Sequence, residues 1–242
     1  MLIGAYMVEI QSPDVLNKMA YDRAIVVFSP EGRLYQVEYA QKAVENAPTA
    51  LGITFKKGVV LLATKTVAKL LLPESSEKIS KIDKHIAMAF CGMAADARVL
   101  IDYARIRAQI NRITYNEPIT TSMLTKLVAN RKQQFTQVGG IRPFGVSFLV
   151  GGVDEEEHLF ETDPAGTMRE WRACAIGRGA KTANEILERE WRANMNRESA
   201  LNLGVKVLKA AEKKAVSKNV EGAVVEEGEF ERIPQEVLKK YF

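Results

Sequence analysis

The order of the predicted elements is the feature that most restricts the fold of this chain. Short β-branched runs at residues 24–28, 50–55, 59–64 and 86–91 form a first block, with one helical stretch after the first run, and two further stretches with helical periodicity follow the block. The second half of the chain repeats this order. Strand blocks followed by helix pairs favour α+β layering over βαβ alternation. We therefore expect two stacked sheets with helices on their outer faces.

Turn residues and apolar spacing place the helices of the first half. The Ser29-Pro30-Glu31-Gly32 turn precedes a helix over residues 34–47. A long helix that Pro118 ends follows the strand at 86–91, and Thr121 is the expected cap of the next helix, which runs to Phe135. The predicted core-facing side of the long helix consists of Val99, Leu100, Tyr103, Ile106, Ile110 and Ile113.

Similar signals organise the rest of the chain. A hairpin turn at residues 56–58 is expected to use Gly58 for a positive φ. Strands are predicted at residues 145–153, 158–162, 168–176 and 223–225, with a turn at 163–166. Helices are predicted from Gly177 to Trp191, over residues 199–215, and from Pro234. No long polar linker divides the chain, so one domain is expected.

Composition excludes several classes of protein. The net charge of +4 is spread through the chain, which does not favour nucleic-acid binding. No apolar run approaches the roughly 18 residues of a membrane span, and the N-terminus lacks the features of a secretory signal. Cys91 and Cys174 stand alone, so no disulfide framework is expected and the reducing cytoplasm fits best.

The residues predict neither a metal site nor a cofactor. His85 and His158 have no metal-binding spacing with the cysteines, and His158 is expected in a solvated acidic loop. Residues 177–179 (GRG) resemble a fragment of a phosphate loop, but an ordinary turn is favoured. Trp171 and Trp191 lie beside arginines, and packing is favoured over base stacking.

Two contiguous motifs identify a family. Residues 21–23 (YDR) and 28–40 (FSPEGRLYQVEYA) closely resemble the N-terminal signature of proteasome α subunits, the archaeal type most of all. Further agreement, in the same order, is found at residues 49–52, 77–79, 94–98, Tyr115, 133–137, 139–147 and 162–166. The resemblance extends from residue 21 to about residue 240.

The resemblance implies a fold and a set of partners. The fold is the four-layer α-β-β-α sandwich of N-terminal-nucleophile hydrolases, with an extra N-terminal helix. The implied partners are other α subunits in a seven-membered ring, proteasome β subunits and the C-terminal tails of an ATPase unfoldase, with unfolded protein substrates in transit. Such a subunit is not an enzyme by itself.

The catalytic question depends on three positions. A β subunit uses an N-terminal Thr, freed by processing, as nucleophile. Here Pro48 stands at about that place, and Thr64 replaces the expected acid. Thr49 would act only if the chain were cut before it. An active threonine hydrolase is therefore the alternative function, which intact-mass analysis would test through a mature start at Thr49. A nucleic-acid module ranks last.

The family also implies a docking pocket and a gate. Lys78, Ala47 and Met93 match residues of the pocket that receives an activator's C-terminal carboxylate; relatives commonly have Gly and Leu at the last two positions. Residues 1–20 would form a flexible gate arm ahead of a domain over 21–242. The gate residues would be Tyr21, Asp22, Arg23, Pro30 and Tyr39. Val138 replaces a further aromatic residue, so we expect a weaker open-state cluster or different contacts.

Overall fold

Two five-stranded antiparallel sheets form the centre of the structure, a computed structural model that describes residues 27–242 apart from the side chains of residues 73 and 74. The strands are β1 Ala50–Phe55, β2 Gly58–Thr64, β3 Ile79–Asp83, β4 Ile86–Gly92, β5 Val146–Val153, β6 Glu157–Thr162, β7 Met168–Glu170, β8 Ala173–Ile176, β9 Val220–Glu226 and β10 Glu229–Ile233. Sheet A has the order β10-β9-β2-β1-β8, and sheet B has the order β3-β4-β5-β6-β7.

Helices cover the outer face of each sheet. They are α1 Tyr35–Glu45, α2 Ala94–Tyr115, α3 Thr121–Phe135, α4 Ala180–Glu190, α5 Arg197–Ala211 and α6 Gln235–Leu238, with short 3-10 turns at Pro73–Ser76, Ser217–Asn219 and Lys239–Tyr241. Helices α4 and α5 pack on sheet A, and α2 and α3 pack on sheet B. The predicted four-layer α-β-β-α sandwich, with an additional helix at its N-terminal side, is confirmed.

Both faces of the central strands are buried. In β1, Leu51 and Ile53 face the helices on sheet A, whereas Ala50 lies between the sheets. In β5, Phe148 faces the helices on sheet B and Leu149 lies between the sheets. This alternation explains why the strands read as continuous apolar runs, because each face needs its own apolar side chains.

The long helix α2 differs from its sequence prediction in the face that it buries. Its buried residues include Ala97, Leu100, Ile101, Ala104 and Ala108. Of the predicted core face, Leu100 is buried and Tyr103 is partly buried, whereas Val99, Ile106, Ile110 and Ile113 are exposed. Small alanines allow α2 to approach sheet B closely, and the larger residues form an apolar stripe on the outside.

The segment predicted as one strand over residues 168–176 is two strands in different sheets. The backbone N–H of Trp171 donates to Leu159 O of sheet B at 2.8 Å, and Thr54 N–H of sheet A donates to Arg172 O at 2.8 Å. The chain therefore crosses between the sheets at Trp171 and Arg172. His158 lies in β6, in agreement with the strand predicted over residues 158–162, but not in the expected solvated loop, since its ring stacks on Phe160.

Several element boundaries also differ from prediction. The side chain of Thr120, not Thr121, caps α3 by accepting from Met123 N–H. In the turn after β1, Lys57 adopts the positive φ expected of Gly58. The second late helix ends at Ala211, short of the predicted residue 215.

Three strand assignments need correction. The sequence reading missed β3 and β10, which are edge strands rich in polar residues. Residues 24–26 of the first predicted strand lie outside the described part of the chain, and Val27 and Phe28 are not in a strand.

One lysine is fully buried between α3 and sheet B. Lys132 Nζ donates to the carbonyl oxygen of Thr162 at 3.1 Å and to its hydroxyl at 2.8 Å, and lies 4.8 Å from the centre of the Phe148 ring. Burial disfavours the charged ammonium and lowers the pKa of Lys132 to about 7. In the unfolded chain the same group retains a pKa of about 10.4.

This burial predicts a pH-dependent stability. Between about pH 7 and 10 the unfolded chain binds a proton at Lys132 that the folded chain has released, so the free energy of unfolding rises with pH by about 1.4 kcal/mol per unit. We expect Lys132→Met to remove this slope in urea unfolding curves, whereas Lys126→Met, at an exposed position of the same helix, retains it. Equal slopes in both variants would contradict this account.

Candidate functional site

Helix α1 covers one end of the sandwich. Val44, near its C-terminus, is buried in the layer between the two sheets. The carbonyl oxygen of Ala47 accepts from Arg178 N–H at 2.8 Å. A Cβ on Gly177, which has φ +97°, would lie 3.0 Å from both Ala47 O and Cys91 Sγ. The GRG segment thus forms a close-packed turn that joins α1 to the ends of β4 and β8, which agrees with the favoured reading as an ordinary turn.

Thr49, the nucleophile of the alternative hydrolase function, lies fully buried beneath this end. Its hydroxyl donates to Glu212 Oε1 at 2.8 Å and accepts from Gly179 N–H at 2.9 Å. Its backbone nitrogen is an amide that follows Pro48 and donates to the same Glu212 oxygen at 3.0 Å. Its carbonyl oxygen accepts from the Thr64 hydroxyl at 2.9 Å. Every polar group of Thr49 is therefore engaged within the chain.

Glu212 is the acceptor that organises these contacts. Its second carboxylate oxygen lies 2.7 Å from Arg178 Nη2. Burial alone would raise the pKa of Glu212, but the hydrogen bonds from Arg178 and Thr49 outweigh it and lower that pKa. The carboxylate is thus held ionised as a structural acceptor at neutral pH.

Lys78 lies at the same end, just before β3, and only 7% of its surface is exposed. Its Nζ donates to Pro48 O at 2.5 Å and lies 3.7 Å from Cys91 Sγ. It contacts the Pro48 carbonyl and not the Thr49 hydroxyl. Among the side chains that the structure describes, no carboxylate lies within ion-pair distance of this ammonium group. An ammonium group has three donors, so one N–H is left for a further acceptor.

The other two predicted pocket residues lie at the same end of the sandwich as Lys78. Ala47 is buried and directly precedes Pro48, the acceptor of Lys78. Met93 follows β4 and is 43% exposed; its thioether packs over Gly145, where the Ala43 side chain of α1 also lies. The structure therefore brings Lys78, Ala47 and Met93 to one end of the sandwich.

Glu212 and Glu221 are site residues that the sequence reading missed. Glu221 accepts a short hydrogen bond from the backbone N–H of Lys78, and burial raises its pKa. It thereby fixes the position at which Lys78 enters β3. One signal was available in the sequence, since Glu221 interrupts the apolar run of β9 and carboxylates in such runs are rarely buried without partners.

The predicted gate residues are only partly described. Tyr21, Asp22 and Arg23 lie outside the described residues. Pro30 is exposed in the predicted turn. Gly32 adopts a φ of +75° in this turn, and its N–H donates to Ser29 O at 2.8 Å. Tyr39 is on α1 with half of its surface exposed. Arg33 forms a bidentate ion pair with Glu38 and fixes the turn against α1.

The described residues contain neither a metal-binding cluster nor a membrane-spanning helix. Among the side chains that the structure describes, no group of three His, Cys, Asp or Glu is arranged to hold a metal ion. None of the described helices is long and apolar enough to cross a membrane. Cys91 and Cys174 are both buried and unpaired, as expected of small apolar residues.

The contacts of Glu212 predict a structural cost for its replacement. We expect Glu212→Gln to lower the free energy of unfolding by about 1–3 kcal/mol at neutral pH, because Arg178 loses its buried ionic partner. The matched control is Glu227→Gln, which breaks the exposed ion pair with Lys57. Chemical denaturation of both variants makes the measurement, and equal costs would show that Glu212 has no special role.

Comparison with known proteins identifies the family. Residues 44–225 match the profile of the family described as "Proteasome subunit", and residues 21–43 match the profile of the N-terminal signature of A-type proteasome subunits. The chain is 51% identical over 230 residues to the proteasome alpha subunit of Archaeoglobus fulgidus. The aligned region covers 93% of this chain and 94% of the relative.

Two further relatives have the same name. The proteasome alpha subunit of Methanocaldococcus jannaschii is 49% identical over 91% of this chain and 86% of its own length. The proteasome alpha subunit of Thermococcus sibiricus is 50% identical over 90% of this chain and 86% of its own length. The chain belongs to the proteasome subunit family, as a non-catalytic α subunit.

Proposed function

We propose that this chain forms, with other α subunits, a seven-membered ring of an archaeal-type proteasome core particle in the cytoplasm. The ring stacks on proteasome β subunits, controls the access of unfolded protein substrates to the proteolytic chamber, and docks the C-terminal tails of an ATPase unfoldase. Family membership supports assembly with proteasome subunits. The site geometry supports the docking part of the proposal.

The state of Lys78 is the observation that carries the docking proposal. Its ammonium group is mostly buried and has a backbone carbonyl and a thiol as neighbours, but no carboxylate among the described residues. A buried cation without an anionic partner is costly, so an incoming carboxylate gains a strong charge-assisted hydrogen bond. Met93, which is partly exposed at the same end of the sandwich, offers an apolar surface for the residues that precede the carboxylate.

The gate belongs to the same proposal. Residues 1–20 act as the arm that closes the pore, ahead of a single domain over residues 21–242. Tyr21, Asp22, Pro30 and Tyr39 hold the arm in its open state, and Arg23 with Asp22 makes charge-assisted contacts at the pore rim. The exposure of Pro30 in the structure supports its availability for such contacts.

The apolar stripe on α2 supports a contact with another subunit. Ile106 is 58% exposed and Ile113 is 84% exposed, and Val99 and Ile110 continue the stripe at helical spacing. Large apolar residues clustered on one exposed helix face are costly in water and mark interaction surfaces. We assign this stripe to the contact with β subunits.

The docking proposal predicts a specific loss in Lys78→Ala. Removing the ammonium group should weaken activator binding by about tenfold or more, as expected for one charge-assisted hydrogen bond. ATPase-stimulated peptide hydrolysis by the assembled core particle measures this loss. The control is Lys81→Ala, an exposed lysine on strand β3, which Lys78 directly precedes. Full stimulation in Lys78→Ala would refute the docking role.

The α2 stripe predicts a loss of assembly. Replacing Ile106 and Ile110 together by Glu should leave the chain folded, because neither residue is buried, yet abolish its association with β subunits. Gln109→Glu, at an exposed position between them, is the matched control. Co-purification followed by size-exclusion chromatography tests the prediction, and normal assembly of the double variant would contradict it.

A further inference from the structure

The loop between β2 and β3 exposes a run of leucines. Leu70 is 94% exposed and Leu72 is 70% exposed, and Leu71 and Val67 also reach the surface. Leucine side chains that remain exposed to water contribute almost no hydrophobic free energy to folding. Contiguous exposed apolar residues of this kind mark an interaction surface.

The backbone of this loop is held in place. Its first residue, Lys65, donates its N–H to Asn219 O at 2.8 Å. Near its end, Ser75 donates its N–H at 3.0 Å and its hydroxyl at 2.7 Å to Leu72 O. Hydrogen bonds therefore anchor the start of the loop and close the turn at its end, which lowers the entropic cost of binding a partner.

A groove of about 340 Å³ lies between this loop and the C-terminal part of the chain. Val67 and Leu71 give it an apolar surface, and Gln235 forms part of its wall. The side-chain nitrogen of Gln235 donates to Val220 O at 2.7 Å, which ties that wall to β9. Lys78 does not line this groove.

The charged side chains that the structure describes around the groove are all cationic. Lys65, Lys218 and Lys239 line it, and none of its described lining residues is a carboxylate. Lys218 and Lys239 are exposed and make no ion pair with any side chain that the structure describes. An apolar groove with a cationic rim is complementary to an apolar side chain flanked by carboxylates.

We propose that this groove docks an acidic peptide segment of a partner protein, which inserts one large apolar side chain against Val67 and Leu71. The flanking carboxylates of that segment pair with Lys218 and Lys239. Leu70 and Leu72 then cover the bound segment from the loop side. The proposal is independent of the activator site, because Lys78 contributes nothing to this groove.

A synthetic peptide tests the proposal on the full chain. The probe is acetylated, amidated and fluorescently labelled, with one phenylalanine between two glutamates on each side; amidation removes the terminal carboxylate that Lys78 would capture. Fluorescence anisotropy should show binding that weakens with added salt. The double variant Lys218→Glu/Lys239→Glu should weaken binding by about tenfold or more, and Lys56→Glu, in the distant β1–β2 turn, should not.

A second variant and a second probe test the apolar contact and the charge requirement. Leu71→Ser should weaken binding by about tenfold, because it removes the apolar surface without altering charge. The same peptide with glutamines in place of glutamates should not bind. Equal affinity of wild type and the double-lysine variant would overturn the proposal, as would equal binding of the glutamine peptide. Two other results would also overturn the proposal. The first is that the chain binds vesicles of anionic lipid but not the peptide; the second is that association of copies of this chain covers the groove and prevents peptide binding.

Discussion

Burial on both faces of both sheets is the constraint on which the rest of this structure depends. Because strands such as β1 and β5 are apolar on each side, each sheet needs the other sheet on one face and a pair of helices on the other. The layer between the sheets must also be closed at its ends. Helix α1 closes one end through Val44, and it leaves Thr49, Lys78 and Glu212 beneath it with little or no contact with water.

The polar groups at that closed end differ in how fully they are satisfied. Thr49 is saturated by Glu212, Gly179 and Thr64, so it contributes to stability and has no free group for chemistry. Lys78 has neutral neighbours and no carboxylate among the described residues. At this end of the sandwich, the hydroxyl that could act as a nucleophile is fully hydrogen-bonded, whereas the ammonium group of Lys78 has no described anionic partner. This contrast connects the non-catalytic character of the protein to the docking role that we propose.

Much of the layering could be predicted from the sequence, because buried strands and amphipathic helices leave strong periodic signals. The predictions that were wrong or missing have identifiable physical causes. β3 and β10 are half-exposed edge strands whose polar residues hide the pattern. The stripe Val99, Ile106, Ile110 and Ile113 has the same spacing as a core face, and periodicity cannot distinguish the core of one chain from a surface for another. At the candidate site, the family resemblance predicted Lys78, Ala47 and Met93, but the contacts of Lys78 with Pro48 and of Met93 with Gly145 depend on residues distant in sequence. Glu212 was missed for the same reason, since it meets Thr49 across 163 residues.

The most direct test of the central claim is electron microscopy of the full chain, expressed alone and together with archaeal proteasome β subunits. We expect micrographs to show seven-fold rings of this chain, stacked on rings of β subunits when both proteins are present. Monomers alone, with no association when β subunits are supplied, would contradict the assignment of this chain as a ring-forming subunit that gates and docks.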